Sequence, residues 1–239
     1  MPYPHLEPAN EPARLLVMQK YGVQAALQEP VFQELTTLAT HIFGLPMAFL
    51  SVVDSAYVDF PATHGVLGLR TLPRKAALCA MVVQQHATVV LNGISAGSDS
   101  PQRQTAQRFR MEFYAGAPLL VEQHYAVGAL CLSDNQSRVF SAQEELVLNE
   151  LAELISQVVV RRWQHLAEVG GARRWQATQQ LVIEDARMLH LLIRHLRAQH
   201  TSSILHVVQR RLASLKKTVN GKLFSLLNAD SPAYPCPSA

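Results

Sequence analysis

The stretch from Phe113 to Asp134, FYAGAPLLVEQHYAVGALCLSD, limits more than any other what this chain can become. Two runs of apolar, β-branched, aromatic and small residues flank the polar triplet Glu122-Gln123-His124, the pattern of a β-hairpin with a short loop. Successive side chains alternate across a strand, so Phe113, Ala115, Ala117, Leu119 and Val121 point one way and Tyr114, Gly116, Pro118 and Leu120 the other. Neither set is polar. Such a hairpin needs cover on both sides, which calls for helices or long loops from elsewhere in the chain. The small residues Ala115, Gly116, Ala117, Gly128 and Ala129 leave space beside the backbone. That space suits either close packing or a hollow for a small molecule, and strand glycines more often serve packing.

The rest of the chain supplies candidates for that cover. Asn10 as N-cap and Pro12 in the first turn predict a helix from about Glu11 to Gln28, with Leu15, Met18, Tyr21 and Ala25 on one face. After a turn at Glu29-Pro30, helical spacing of Phe32, Leu35, Leu38, Ala39 and Ile42 marks a second helix, Val31 to Phe43, stopped by Gly44. Met47 to Asp54 reads as a strand and Tyr57 to Phe60 as its hairpin partner. Residues 61 to 74 read as loop, Lys75 to Gln85 as a short helix and Thr88 to Leu91 as a short strand. Asn92 to Thr105 reads as a polar loop with a helical turn following to Arg110. Ser141-Ala-Gln-Glu144 is a capping box ahead of a long helix reaching about Val169, with Leu146, Leu148, Leu151, Leu154, Ile155, Val158 and Val159 on its buried face. Beyond Gly170-Gly171 two more helices are expected, Arg173 to Gln199 and Ser202 to Val219. The resulting division is a leader at 1–10, a domain at 11–169, a helical extension at 172–228 and a loose tail at 229–239.

Charge is unevenly spread. Up to Val160 the chain carries a net −5 and from Arg161 onward a net +8, within an overall +3. The basic end allows nucleic acid, an anionic surface or an acidic protein as partner, or simply a solvated helix face. No apolar run approaches the roughly 18 residues a membrane span requires, and the acidic, proline-bearing start does not read as an export signal, so a cytoplasmic location is expected. Cys79, Cys131 and Cys236 form no CxxC pair or metal-ligand spacing, which leaves buried structural thiols as the default. His190, His195, His200 and His206 do not line one helical face at the i, i+4 spacing of a metal pair. No kinase H-box or Gly-rich nucleotide loop accompanies them.

Several segments, in order, carry a resemblance. NEPARL at 10–15 with Tyr21-Gly22, PMAFLSVVD ending at Asp54, LCA around Cys79, FYAGAPL at 113–119, VGALCLSD at 127–134 and VFSAQE at 139–144 together resemble the GAF domain family. The likeness is to the bacterial sensor type found ahead of histidine kinases and diguanylate cyclases. It implies an α+β fold: an antiparallel sheet flanked by helices, here followed by an all-α C-terminal extension. It also implies a non-enzymatic signalling role, a small-molecule pocket, and dimers whose terminal helices pass strain to an output. Ser51, Phe60, Cys79, Met81, Glu112, Tyr114, Cys131 and Asp134 match the family's pocket or its rim. Where that subgroup usually has arginine, histidine and lysine, this chain has Glu112, Met81 and Pro61. Each exchange removes a cationic or titratable donor, which favours a neutral or weakly polar ligand over an anionic one. No cofactor is specified, and the bilin-attaching Cys-His pair is absent because Ala80 follows Cys79.

Two other function classes remain open from the sequence. A branch of the GAF family reduces free methionine sulfoxide with pocket thiols, for which Cys79 and Cys131 are the candidates. Other GAF proteins end in nucleic-acid-binding helices, for which Arg194, Arg197, Arg210, Arg211, Lys216 and Lys217 invite comparison, though without the interleaved aromatics of a base-stacking platform. A homodimer is expected through the apolar positions Val158, Val159, Trp163 and Leu166 of the long helix. Leu189, Ile193, Leu196, Val208 and Leu212 of the two last helices would complete a four-helix bundle across two chains.

Overall fold

The structure, a computed structural model, describes residues 8–96, 99–199 and 204–221. The end of the expected helical extension, the tail and most of the leader lie outside these residues. The hairpin is β5 (Phe113–Val121) and β6 (Tyr125–Asp134). Glu122 and Gln123 both take positive φ in the turn that joins them, the type I′ geometry whose twist matches the strands. With β1 (Met47–Val53), β2 (Tyr57–His64), β3 (Thr71–Pro73) and β4 (Val89–Asn92) it forms a six-stranded antiparallel sheet of order β3-β2-β1-β6-β5-β4.

Several boundaries differ from the sequence reading. The first helix is broken into α1 (Glu11–Lys20) and α2 (Val23–Ala26) because Gly22 adopts a left-handed conformation, φ +56. The segment read as loop from 61 to 74 instead extends β2 to His64 and returns as β3, since pairing to β1 and β2 satisfies its backbone. The short helix begins only at Cys79 as α4 (Cys79–Gln85), after a 3-10 turn at Arg74–Ala76. Helix α5 (Pro101–Arg108) occupies what read as polar loop, started by Ser100, whose Oγ accepts from the Arg103 N–H. Helix α3 (Pro30–Phe43) ends at Gly44 as expected, and α6 (Ala142–Leu166) opens on the Ser141/Glu144 capping box.

The sheet divides two cores. On one face Phe113, Ala115, Ala117, Leu119, Leu130 and Leu132 pack with α3 and α6. On the other Phe49, Phe60, Tyr114, Ala129 and Cys131 pack with α4, α5 and the segment 66–78. Near one edge, Arg14 is fully buried. It donates to Glu11, which also accepts from Arg74 Nη1 at 2.5 Å. Those two guanidiniums overcome burial, which acts in the opposite direction, and lower the Glu11 pKa to about 2.

The last two helices, α7 (Gly171–Ala198) and α8 (Ile204–Val219), fold back across Gly170, φ +70, onto α3 and α6 of the same chain. Val158, Val159, Leu189, Ile193, Val208 and Leu212 are buried there. Trp163 packs at a tilt against Tyr21, with ring centroids 4.8 Å apart. Leu196 is half-buried, and Leu166 remains 45% exposed. The four-helix layer expected between two chains is thus assembled within one, because the Gly170-Gly171 break lets the hairpin reach its own domain. Glu29 fastens it: its carboxylate pairs with Arg162 of α6 and accepts from Trp175 Nε1 and Gln179 Nε2 of α7, each at 2.7 Å. At the far end Arg197 Nη2 donates to the Ile42 carbonyl at 3.3 Å, satisfying one of the last carbonyls of α3.

Between these two ties His41 of α3 stacks on His190 of α7, centroids 3.6 Å apart, with His64 of β2 at 6.3 Å. Burial first, then His190, His64, Arg197 and Arg194, hold the His41 imidazole below its ordinary pKa. The unfolded chain therefore takes up this proton more readily than the folded one. The stabilisation is present above about pH 6.5 and is lost as pH falls through the lowered folded value.

Two outcomes are expected. Between about pH 7.5 and about pH 5, thermal stability falls more steeply for the natural chain than for His41→Gln, as read by circular dichroism melts. Glu29→Gln costs about 2 kcal/mol, since hydrogen bonds to a charged acceptor contribute about 1.5–3. It raises amide exchange first in residues 175–185, as read by hydrogen-exchange mass spectrometry.

Candidate functional site

The site starts from an alternation rule. Tyr114 and Gly116 lie on the same strand face, and the tyrosine ring lies back over the glycine, so that a Cβ on Gly116 would meet Tyr114 Oη at 2.4 Å and Val82 Cγ2 at 2.8 Å. Cys131 pairs with Gly116 on the adjacent strand. Tyr114 Oη accordingly reaches Cys131 Sγ at 3.2 Å. One strand further, Ser51 bridges β1 and β6: its Oγ donates to the Ala129 carbonyl at 3.3 Å and accepts from the Ala129 N–H at 3.1 Å. Gly128 has no room for a side chain either, because a Cβ would stand 1.8 Å from the Ser51 carbonyl oxygen. The small residues of the hairpin therefore serve close packing.

What remains is a cavity of about 20 Å³ lined by Phe49, Phe60, Leu69, Leu72, Cys79 and Tyr114, with Ala77, Leu78, Thr105 and Met111 completing the wall. This is the scale of one water molecule. Of the lining residues, Cys79, Thr105 and Tyr114 carry polar side-chain atoms, and none is cationic. Of the residues singled out from sequence, Phe60, Cys79 and Tyr114 line the cavity, and Ser51 and Cys131 stand behind them in the same buried cluster. Met81 packs half-buried against that cluster. Glu112 and Asp134 lie outside it: Glu112 accepts from Ser95 Oγ, and the Asp134 carboxylate accepts from the Gln136 N–H at 3.3 Å. Leu69, Leu72 and Leu78 were missed because they lie in stretches read as loop or as plain helix. Thr105 and Met111 were missed because the second helix over the site, α5, was not expected to begin at Pro101.

The thiols form one electrostatic unit. Burial works to raise the Cys79 pKa, but hydrogen bonds from Cys131, Ser51 and the N–H groups of Cys79 and Ala80 outweigh it and bring it below the ordinary thiol value. Burial pushes Cys131 well up, and so does its neighbour Cys79. Tyr114 is likewise raised by burial, then by the two thiols. Among the described residues there is no group of three or more His, Cys, Asp or Glu placed to hold a metal ion.

Comparison with known proteins decides the family. A family model for the GAF domain matches residues 28–159, more than half of the chain. The chain belongs to the GAF domain family. GAF domains are sensory and regulatory modules, and the two-sided architecture described above is theirs. Among curated proteins, a cyclic di-GMP phosphodiesterase of Pseudomonas aeruginosa is 29% identical over 146 residues, 60% of this chain and 24% of that protein. The chain thus spans about a quarter of the relative's length. Among solved structures, the blue-light-absorbing form of the PixJ GAF domain of Thermosynechococcus elongatus aligns with a TM-score of 0.50 and 14% identity, over 63% of this chain and 94% of that one. A free methionine-R-sulfoxide reductase of Neisseria meningitidis, solved with its substrate, aligns with a TM-score of 0.45 and 21% identity over 66% and 95%. At these identities the likeness is one of fold.

The packing at the two hairpin glycines orders their sensitivity. Gly116→Ala pushes against the buried side chains of Tyr114 and Val82, and is expected to cost about 1–3 kcal/mol as overpacking. Gly128→Ala pushes against backbone and costs more, as compared by urea unfolding of the two variants.

Proposed function

We propose that this GAF domain is a non-enzymatic sensory module that reads a small neutral input on the Cys79 side of the sheet and transmits it through α6, α7 and α8. The observation that carries this reading is the position of the hairpin. Tyr114 lines the cavity and Cys131 lies in the core on the same side of the sheet, while their sequence neighbours Phe113, Leu130 and Leu132 face the helical layer. A displacement of β5 and β6 on one side is therefore felt directly by α6 on the other, one residue away. The apolar, cation-free wall supports a neutral or weakly polar ligand, which would enter by moving Phe60 or Tyr114 aside.

We divide the chain accordingly into a GAF unit at 11–169 and a helical extension starting at 172, whose stated end at 228 lies outside the described residues. For output we place a second copy of the chain on the outward face of α7. Leu181, Met188 and Leu191 stand exposed there at heptad spacing, whereas the inner apolar positions are already engaged. Among the described residues no helix is long and apolar enough to cross a membrane.

The other readings have less support. On α8, Arg210, Arg211 and Lys217 are exposed, but Lys216 pairs with Glu153 and Arg197 serves the end of α3. The candidate basic face for nucleic acid is thereby divided. Turnover of methionine sulfoxide needs thiols that meet a substrate of several heavy atoms, while both described thiols are buried beside a water-sized cavity.

Three measurements test the proposal. Native mass spectrometry of the purified chain is expected to retain a neutral small molecule, and calorimetry with cyclic di-GMP to show no heat of binding; tight binding of that dianion would overturn the ligand class. Light scattering at micromolar concentration is expected to give a dimer that Leu191→Glu converts to monomer. A natural chain that is already monomeric removes the self-association.

A further inference from the structure

We propose that residues 222–227, Lys-Leu-Phe-Ser-Leu-Leu, pair as a further strand with the open edge of β5, in the groove between that edge and α6. These residues lie outside the described ones. The surface that the chain meets on leaving α8 carries the assignment. The pairing is independent of what enters the Cys79 cavity and of self-association through α7.

The edge is open because β4 is short. It pairs with β5 only from Phe113 to Gly116, whereas β5 runs on to Val121 and keeps β6 on its other side throughout. Among the described residues no strand takes up the free side of residues 117–121. Pro118, which has no N–H to offer a neighbour, stands in this stretch, as proline in a sheet does at an edge. Beside it lies a groove of about 760 Å³. Its lining takes Pro118, Leu120 and Glu122 from β5 and its turn, Leu146 and Val160 from α6, and Asn220 from just past α8. Leu146 is 47% exposed there.

Helix contacts set the direction. α8 runs against α6: Gln209 reaches Glu150, Lys216 reaches Glu153, and Asn220 Nδ2 donates to Gln157 Oε1 at 3.3 Å. β5 runs with α6: Thr88, next to the Val89–Gly116 pair, donates to Asn149, while Glu122 and Trp163 share Lys20. At Gly221, φ +84, the helix has stopped, and a Cβ there would meet Arg161 Nη2 at 2.6 Å. The chain thus leaves at the Val160 end of the groove. A strand running from there toward Leu146 is antiparallel to β5. Val160 and Leu146 stand about 21 Å apart along the helix at about 1.5 Å per residue, which is the span of roughly six residues of strand.

Six residues match 117–122 in number, and that fixes the register. Lys222 stands opposite Glu122, whose carboxylate already accepts from Lys20 Nζ at 2.6 Å and Tyr21 Oη at 3.1 Å. Phe224 then stands opposite Leu120 and Leu226 opposite Pro118. Opposed residues of an antiparallel pair point the same way, so Leu223 and Leu227 turn instead toward Val160 and Leu146. Each large apolar side chain of the segment gains a partner, and its one cation meets a carboxylate. The added strand covers an apolar edge that β5 otherwise offers to foreign chains. It also fastens the end of α8 to a strand shared by both cores.

Hydrogen-exchange mass spectrometry of the full-length chain tests the pairing. Amides of residues 223–227 are expected to exchange at least about tenfold more slowly than in the free peptide KLFSLL. Phe224→Asp combined with Leu226→Asp is expected to speed exchange in residues 117–121 and to leave β1 unchanged. Exchange of residues 223–227 at the free-peptide rate in the natural chain overturns the proposal, whatever the variant does. Zero-length carbodiimide coupling of an equal mixture of nitrogen-15-labelled and unlabelled chains reads the occupant, with a Lys222–Glu122 link inside one chain expected. A link between a labelled and an unlabelled chain assigns the groove to a second copy, and Lys222 coupled only to carboxylates outside the groove places the segment elsewhere. Either result overturns the proposal.

Discussion

A central hairpin with no polar face is the constraint from which the rest of this structure follows. Strands β5 and β6 bury Phe113, Leu119, Leu130 and Leu132 on one side and Tyr114, Ala129 and Cys131 on the other. Each buried residue of that size contributes on the order of 1.5–3 kcal/mol through removal of apolar surface from water, and leaving either face wet forfeits that sum. The chain therefore spends its flanks as cover. Helices α1 to α3 and α6 close one face, and α4, α5 and the segment after β2 close the other. A sheet covered on both sides is also a partition: what happens in the small thiol-bearing core is separated from the helical layer by one strand thickness.

The helical layer shows how the C-terminal extension becomes part of the domain. Its apolar stripe needs a partner, because two helices alone bury too little to be stable. The partner is the chain's own α3 and α6, reached by reversing direction at Gly170. Glu29 then takes donors from α6 and α7 at once, so a single carboxylate registers the position of both helices relative to the turn before α3. With Arg197 at the far end and the stacked histidines between, the docking of α7 combines a charged tie, a capped helix end and a titratable contact. The thiol-bearing core lies on one face of β5 and β6, and α6, against which α7 and α8 pack, lies on the other.

The fate of the glycines shows how far residue types alone carry. Gly116 and Gly128 signal room beside the strands, and that much was legible. Whether the room is a hollow or a contact depends on atoms far away in sequence: the Ser51 carbonyl fills one, and Tyr114 with Val82 fills the other. The same holds for the site. Phe60, Cys79 and Tyr114 of the cavity wall were singled out from the sequence through the family resemblance, but Leu69, Leu72, Thr105 and Met111 were not. Their segments have turn-rich or polar composition, and only their folding over the sheet makes them walls.

By itself the sequence determined the hairpin, the helix started by Ser141 and Glu144, the stop at Gly44 and the membership in the GAF family. Each of these rests on local signals: alternation, capping and short motifs that need no distant partner. Tertiary structure decided three other things. It broke the first helix at Gly22, drew residues 61–64 into β2, and turned the C-terminal hairpin back onto its own domain instead of leaving it for a second chain. The reason is common to all three. Backbone groups and apolar stripes must be satisfied somewhere, and several partners were chemically equivalent in the sequence. Only the three-dimensional path of the chain, through a left-handed glycine, an available sheet edge and a carboxylate at Glu29, selected among them.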